Sequence, residues 1–404
     1  MSALPRSNPG PGPDAVDLLT RRCRIFLDTW RGRTYARPVT QLAAGRARLR
    51  EWLLSGTPPI PAGIGEAEAL VEAAREQKLA GLLYSAINGA GTAWPENSRD
   101  LLKERYQHHF VQGVAQLELA GRVQNLLAVA GLRAVPLKGA AVSLRLYDSE
   151  AERPMGDVDL LLLDSWDDAL PLLARAGLTE EHRADHAWSF CADNAKTVLE
   201  LHHSLTSPPG FYPIDSEGIW QRTVLGSGLV GRLPSSEDLL VHLALHAAFQ
   251  HGFALSLVQY LDFRRLLERE PLNTDLLLTV AKDARAEAPL AAALQAASAI
   301  VGAHVDEGLA RELSGRIPRG LAEWLRARLK EPLSLVTPGP PTVAFVRWEL
   351  AYGRRLSFLK ATLSPQFPGI ARSPWRRAIS AVARGGSLLG GWGWRTLRAG
   401  RGAR

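Results

Sequence analysis

Two aspartates, Asp157 and Asp159, stand two residues apart at the head of the apolar run Val158 to Leu163. Such a run reads as a β-strand, and alternate residues of a strand leave the same face, so both carboxylates project together. Neighbouring acids on an apolar strand repel one another and lose hydration. Hard divalent cations bound through oxygen offset both costs. Glu200, flanked by Leu199 and Leu201, adds a third carboxylate if its strand pairs beside the first. Three converging carboxylates suit two-metal phosphoryl or nucleotidyl transfer, with one metal activating the attacking oxygen and the other steadying a triphosphate. The competing reading is a solvated strand edge, which the run of leucines on one side argues against.

The surrounding residues extend this scheme. Gly139, between a strand and a helix, lets backbone amides approach phosphate, and a helix N-terminus favours anions. Lys138 and Arg153 add positive charge for a triphosphate. Arg153 equally suits an ion pair with Glu152 or with an aspartate of the site. His202 shares a strand face with Glu200 and is expected in the cleft, whereas His203 points away. His242 and His246 have i, i+4 spacing, but residue 243 is leucine and the zinc motif HExxH is absent. A structural role, or contact of His246 with Asp262, is the expectation there.

Several elements must position these groups. Apolar residues recur at helical spacing over 14–52, 65–88 and 97–130, which predicts a helical N-terminal region. After Gly131 the pattern shortens. Leu132 to Leu137, Val158 to Leu163, Trp188 to Cys191 and Thr197 to His202 read as strands, with Asp193-Asn194 as a hairpin turn. Helical pieces are expected over 140–146 and 166–176, the second stopped by Gly177. Ser235 starts a new helical region with Asp238 in its first turn. Further helices are expected over 257–268, 274–301 and 320–330, with a break at Pro338 to Pro341. The boundaries are therefore a lead over 1–13, a helical region over 14–130, a core over 131–234, a helical region over 235–371 and a tail over 372–404.

Composition excludes some classes. The chain has 404 residues, 46% of them hydrophobic and 22% charged, which is ordinary for a folded protein. Cys23 and Cys191 lie far apart, which argues against a disulfide framework or a cysteine-rich zinc site and fits a reducing, cytoplasmic setting. No apolar run is long enough to span a bilayer, and the N-terminus lacks the apolar segment of a secretory signal. The net charge of +7 is concentrated in the tail, where Arg372 to Arg404 contains eight arginines and no acid. With Trp392 and Trp394 among them, that tail suits weak contact with a membrane surface or nucleic acid, against the plainer reading of a solvated end.

The combined order of motifs resembles the uncharacterised nucleotidyltransferase family of the polymerase-β superfamily. The carriers are Leu137-Lys138-Gly139, Leu146-Tyr147, Arg153, Asp157, Asp159 to Leu161 and Glu200-Leu201-His202, and the resemblance extends to about Leu267. It implies an α+β fold, a small mixed-sheet nucleotidyltransferase core flanked by helical N- and C-terminal regions. It also implies Mg2+ or Mn2+ on Asp157, Asp159 and Glu200, and a nucleoside triphosphate, ATP by expectation, on Lys138, Gly139 and Arg153. His202, His246 and Asp262 would line the substrate pocket. The Gly-Ser pair usual in the superfamily is Lys138-Gly139 here, followed by Ala140, so Ser143, one turn later, is the substitute phosphate contact. The acceptor is a small molecule, a peptide or a protein. The resemblance further implies a tailoring step in natural-product biosynthesis, lasso peptides included, or in polysaccharide biosynthesis. The alternatives are an inactive nucleotide-binding scaffold of the same fold and a phosphotransferase using the same carboxylates.

Overall fold

The structure is a computed structural model that describes residues 39–192, 197–226, 228–336 and 343–363. The hairpin turn at Asp193-Asn194, the break at Pro338 to Pro341, the helical start before Val39 and the arginine-rich tail lie outside the described residues.

A five-stranded sheet forms the centre. Its strands are β1 (Ala134–Pro136), β2 (Val158–Leu162), β3 (Leu178–Arg183), β4 (Ala187–Ala192) and β5 (Val198–His202). The spatial order is β1-β2-β5-β4-β3. β2 and β5 run parallel, and every other pair is antiparallel. The sheet is thus mixed and the fold is α+β. The parallel pair needs a crossover, which the helix Trp166–Arg175 and the β3–β4 hairpin provide. Sequence periodicity misses β3 because all but its first residue are exposed, so this edge strand has no apolar alternation to detect.

The two sheet faces do different work. On one, Val158, Leu160, Leu162, Leu199 and Leu201 pack on Leu119, Val123 and Leu127 of the long helix Glu96–Val129 and on Ala169 and Leu173. Period-2 alternation then sends Asp159, Leu161, Glu200 and His202 to the other face, beneath the C-terminal helices. Gln124 ties the long helix to the core. Its side chain donates to the carbonyls of Ala134 and Arg232, both at 2.9 Å, and accepts from the amide of Gly231.

Two expected helices divide. The 65–88 stretch is two helices, Ile64–Glu76 and Ala80–Gly89, separated at Lys78, whose φ is +57°. The 274–301 stretch breaks likewise into Thr274–Asp283 and Glu287–Val301, with Arg285 at φ +55°. Apolar periodicity runs through both breaks because each next helix continues to bury its apolar side. Ser235 caps its helix as expected, its hydroxyl accepting from the amide of Asp238 at 3.1 Å.

The N-terminal helices meet the core through close backbone contact. A Cβ on Gly81 would lie 1.9 Å from the carbonyl oxygen of Ala151, next to the Glu152-Arg153 segment. Replacing a helix-interior glycine with alanine ordinarily stabilises by about 0.5–1 kcal/mol. Gly81→Ala should instead destabilise by about 1–3 kcal/mol, because one backbone must move. Urea unfolding measures this; a midpoint equal to or above that of the parent protein would contradict the contact.

Candidate active site

Asp159 occupies the second position of β2 and is 2% exposed. The parallel register places it directly opposite Glu200 of β5. The Oδ1 atom of Asp159 lies 2.6 Å from the Lys138 Nζ, which donates to it, and 2.7 Å from the Nε2 of His202. The same Nε2 lies 3.5 Å from Glu200 Oε2. Ligand atoms of Asp159, Glu200 and His202 all fall within 4.8 Å of one another, as the donors of a single metal ion do.

Asp157 takes a different position from the one its spacing predicts. The strand begins at Val158, so Asp157 sits in the bend before it and is half-buried. It lines the cleft with Asp159 but lies outside the tight group of donor atoms.

Charge divides unequally between these acids. Burial opposes the ionised form of Asp159, but the Lys138 ammonium and the His202 ring outweigh it and hold its carboxyl well below the usual range. Burial, joined by the negative charge of Asp159, pushes Asp157 up to about 6. The hydrogen bond from His202 lowers Glu200. Burial opposes charge on His202, and its bonds to Asp159 and Glu200 prevail, raising it. Lys138 follows the same logic, with Asp159 prevailing over burial to raise it. Lys138 and His202 are thus both committed to Asp159, and among the described residues Asp157 has no hydrogen-bonded cation of its own, only the more distant charges of Lys138 and Lys78.

The cleft beside these groups encloses about 740 Å³ of space, part of it open solvent. Lys78, Lys138, Gly139, Arg153, Asp157, Asp159, His246 and Asp262 line it, so residues distant in sequence converge. Lys138 begins the helix Lys138–Leu146 with φ +41°, a conformation that a side chain ordinarily disfavours. Its strained backbone aims the ammonium at Asp159 instead of leaving a glycine at the junction. Gly139 has its own steric reason, since a Cβ there would lie 2.7 Å from Met155 Cγ. Ser143 is 3% exposed, its hydroxyl is unpartnered, and it does not line this cleft.

Arg153 and Asp262 pair with each other. Nη2 of Arg153 donates to Asp262 Oδ2 at 2.6 Å and its Nε to Oδ1 at 2.8 Å, while the Tyr147 hydroxyl donates to Oδ1 at 2.8 Å. The guanidinium of Arg265 stacks over the Tyr147 ring, 4.2 Å from its centroid. This network corrects the expected contact of His246 with Asp262, because the carboxylate is already taken. His246 instead places its Nε2 3.1 Å from that of His251. The pairing comes from a π-helical turn, His246–Gln250, which continues the helix Ser236–Leu245 and re-aims both rings; such turns recur at functional sites. Burial lowers both imidazoles, His251 to about 4, so they face the cleft neutral. His203 lies on the opposite face, edge-on to Trp166.

Sequence reasoning missed Lys78 and Gln259 as cleft residues. Nothing about their spacing marks them, since they are brought in by packing of the N-terminal helices on the C-terminal ones. Gln77 makes that link, its side chain accepting from the amide of Leu257 at 2.9 Å.

The site is thus a mixed sheet carrying acids on paired parallel strands, beside a cleft lined by lysines, an arginine and aspartates. The chain belongs to the uncharacterised nucleotidyltransferase family, whose model matches residues 65–302. A comparison with curated proteins gives no match. Among solved structures, the chain is similar to the antibiotic-resistance factor ANT(2'')-Ia in solution, at 13% identity over 43% of this chain and 92% of that one, with a TM-score of 0.33. The crystal structure of ANT(2'')-Ia with adenylyl-2''-tobramycin gives 12% identity over 42% and 97%, with a TM-score of 0.32. An antigenic nucleotidyltransferase-like protein from Paracoccidioides brasiliensis gives 18% over 48% and 94%, with a TM-score of 0.28. Among the described residues, no helix is long and apolar enough to cross a membrane.

Two predictions follow from the electrostatics. The raised value of Asp157 means that the folded carboxyl keeps its proton where the unfolded one has lost it. The folding penalty therefore begins near pH 3.8, is complete above pH 6 and is absent below both values. Metal-free Asp157→Asn should melt above the parent protein at pH 7 and with it at pH 3.5; equal melting at both values would contradict the shift. Asp262→Ala leaves the Arg153 guanidinium buried without its partner and should cost about 3–5 kcal/mol in chemical unfolding. A change under about 1 kcal/mol would show the pair to be solvated.

Proposed function

We propose that this chain is a metal-dependent nucleotidyltransferase that moves a nucleoside monophosphate from a triphosphate, ATP by preference, to an acceptor hydroxyl. The observation that carries this reading is the register of Asp159 against Glu200, with Asp157 beside them short of countercharge. Two or three carboxylates form an oxygen donor set suited to Mg2+ or Mn2+. Asp159 and Glu200 would hold the ion, with Asp157 as the further oxygen donor. When bound, a divalent cation supplies positive charge that lets a triphosphate and an attacking oxygen approach each other.

The chain's own groups then take defined parts. The acceptor oxygen forms a bond to the α-phosphorus, the bond from that phosphorus to the bridging oxygen breaks, and pyrophosphate leaves. Glu200, partly open to solvent, takes the acceptor proton. Lys138 stays on Asp159 and keeps that carboxylate ionised. Arg153 acts by holding Asp262 and the cleft wall, since its guanidinium is already engaged. The neutral rings of His246 and His251 offer hydrogen bonds to an acceptor. A tailoring role in natural-product or polysaccharide biosynthesis, in the cytoplasm, is consistent with this chemistry.

The test is incubation of the purified protein with each α-³²P-labelled nucleoside triphosphate, Mg2+ or Mn2+ and cell extract, beside Asp159→Asn. Label should pass to an acceptor with release of pyrophosphate, and the variant should lose at least about a hundredfold in rate. A nucleoside diphosphate as product would show phosphoryl transfer instead. Nucleotide binding with no transfer from any donor would leave a binding scaffold.

A further inference from the structure

We infer that Lys78, contributed by the N-terminal helical region, binds the β- and γ-phosphates of the donor and so makes that region part of the nucleotide site. The inference rests on the nucleotidyl-transfer reading above.

The first observation is how charge is committed in the cleft. Lys138 is engaged by Asp159, and Arg153 by Asp262. Both histidines of the cleft are held neutral by burial. Lys78 lines the same cleft, the residue is exposed to solvent, and among the described residues no ion pair holds its ammonium; burial and the Arg153 guanidinium lower it, while Asp157 and Asp262 favour its charge from a distance. Among the described cations of the cleft, it is the one that no hydrogen bond ties to an acid. A triphosphate tail is the part of a donor nucleotide that requires such charge.

The second observation is conformational. The helix Ile64–Glu76 ends in a paired cap. The amide of Leu79 donates to the carbonyl of Ala74 at 2.7 Å, and the amide of Lys78 to that of Arg75 at 3.2 Å. The residue at the turn of this cap is left-handed, a place that glycine fills without steric cost. Here it is Lys78, at φ +57°. Arg285 fills the matching cap after the helix Thr274–Asp283, so the left-handed turn fixes the base of Lys78, and its place at the cleft is what marks its ammonium for use.

The third observation is rigidity. Gln77 beside it is 2% exposed and accepts from the Leu257 amide, and Leu79 on the other side is fully buried. Lys78 is therefore held at a fixed base between two anchored residues, and only its side chain moves.

The experiment is calorimetric titration of the Mg2+ complexes of α,β-methylene-ATP and AMP into the whole protein and its Lys78→Gly and Lys78→Arg variants, with melting curves for each. Lys78→Gly should weaken the triphosphate analogue about ten- to hundredfold, the worth of a charge-assisted contact. It should leave AMP unchanged and should not lower the melting temperature, and Lys78→Arg should restore most of the triphosphate affinity. Equal loss for both nucleotides, or no loss for either, would overturn the assignment of Lys78 while leaving the nucleotide site standing. If the parent protein bound neither nucleotide, the donor reading itself would fall and this inference with it.

Discussion

The buried carboxylate of Asp159 is the constraint to which the rest of the site answers. A carboxylate that is 2% exposed on the floor of a sheet cannot stand without cations or hydrogen-bond donors. The fold supplies Lys138 from the strained start of one helix and His202 from the neighbouring parallel strand, both on the same oxygen. Those two partners satisfy Asp159, and His202 also reaches Glu200, but neither bonds to Asp157. The apolar side of the sheet, packed on the long helix, fixes which residues face the cleft. A shift of one residue in β2 would bury Asp159 among leucines and turn Leu160 toward the acids.

A second ionic contact sets the shape of the cleft. Arg153 and Asp262 are 109 residues apart, both almost wholly buried, and are joined by paired hydrogen bonds with Tyr147 as a third member. A buried pair of this kind adds little to stability over an apolar pair, but breaking it is costly, so it fixes one arrangement of its two segments. The loop ahead of β2 is thereby fastened to the helix Leu257–Arg269, which carries the far wall of the cleft. The Gly81 contact fastens the same loop to the N-terminal helices. Three sequence regions thus meet around Asp157.

Much of this was legible in the sequence because it follows from alternation. The strand of Asp159, the strand of Glu200, their shared face and the long helix behind them all come from apolar spacing. The placement of Asp157 did not, since apolar flanks cannot tell the first residue of a strand from the last residue of the bend before it. The choice between a phosphate and a carboxylate as the partner of Arg153 was also beyond the sequence. It depends on Asp262, which only packing of the C-terminal helices delivers. Lys78 was hidden for a related reason, because the helical pattern continues across the left-handed residue that interrupts it. Ser143 illustrates the reverse error: it stands one turn along the helix from Gly139, but that turn carries it deeper along the axis, where it is buried and does not line the cleft.

The central claim is that the acids of β2 and β5 form a divalent-cation site. Titration of Mn2+ into the protein, followed by electron paramagnetic resonance of the free ion, measures it directly. The account predicts saturable binding that Asp159→Asn and Glu200→Gln each weaken by at least about tenfold, with both variants still folded. Mn2+ binding of equal affinity in the parent protein and in the folded variants would contradict it.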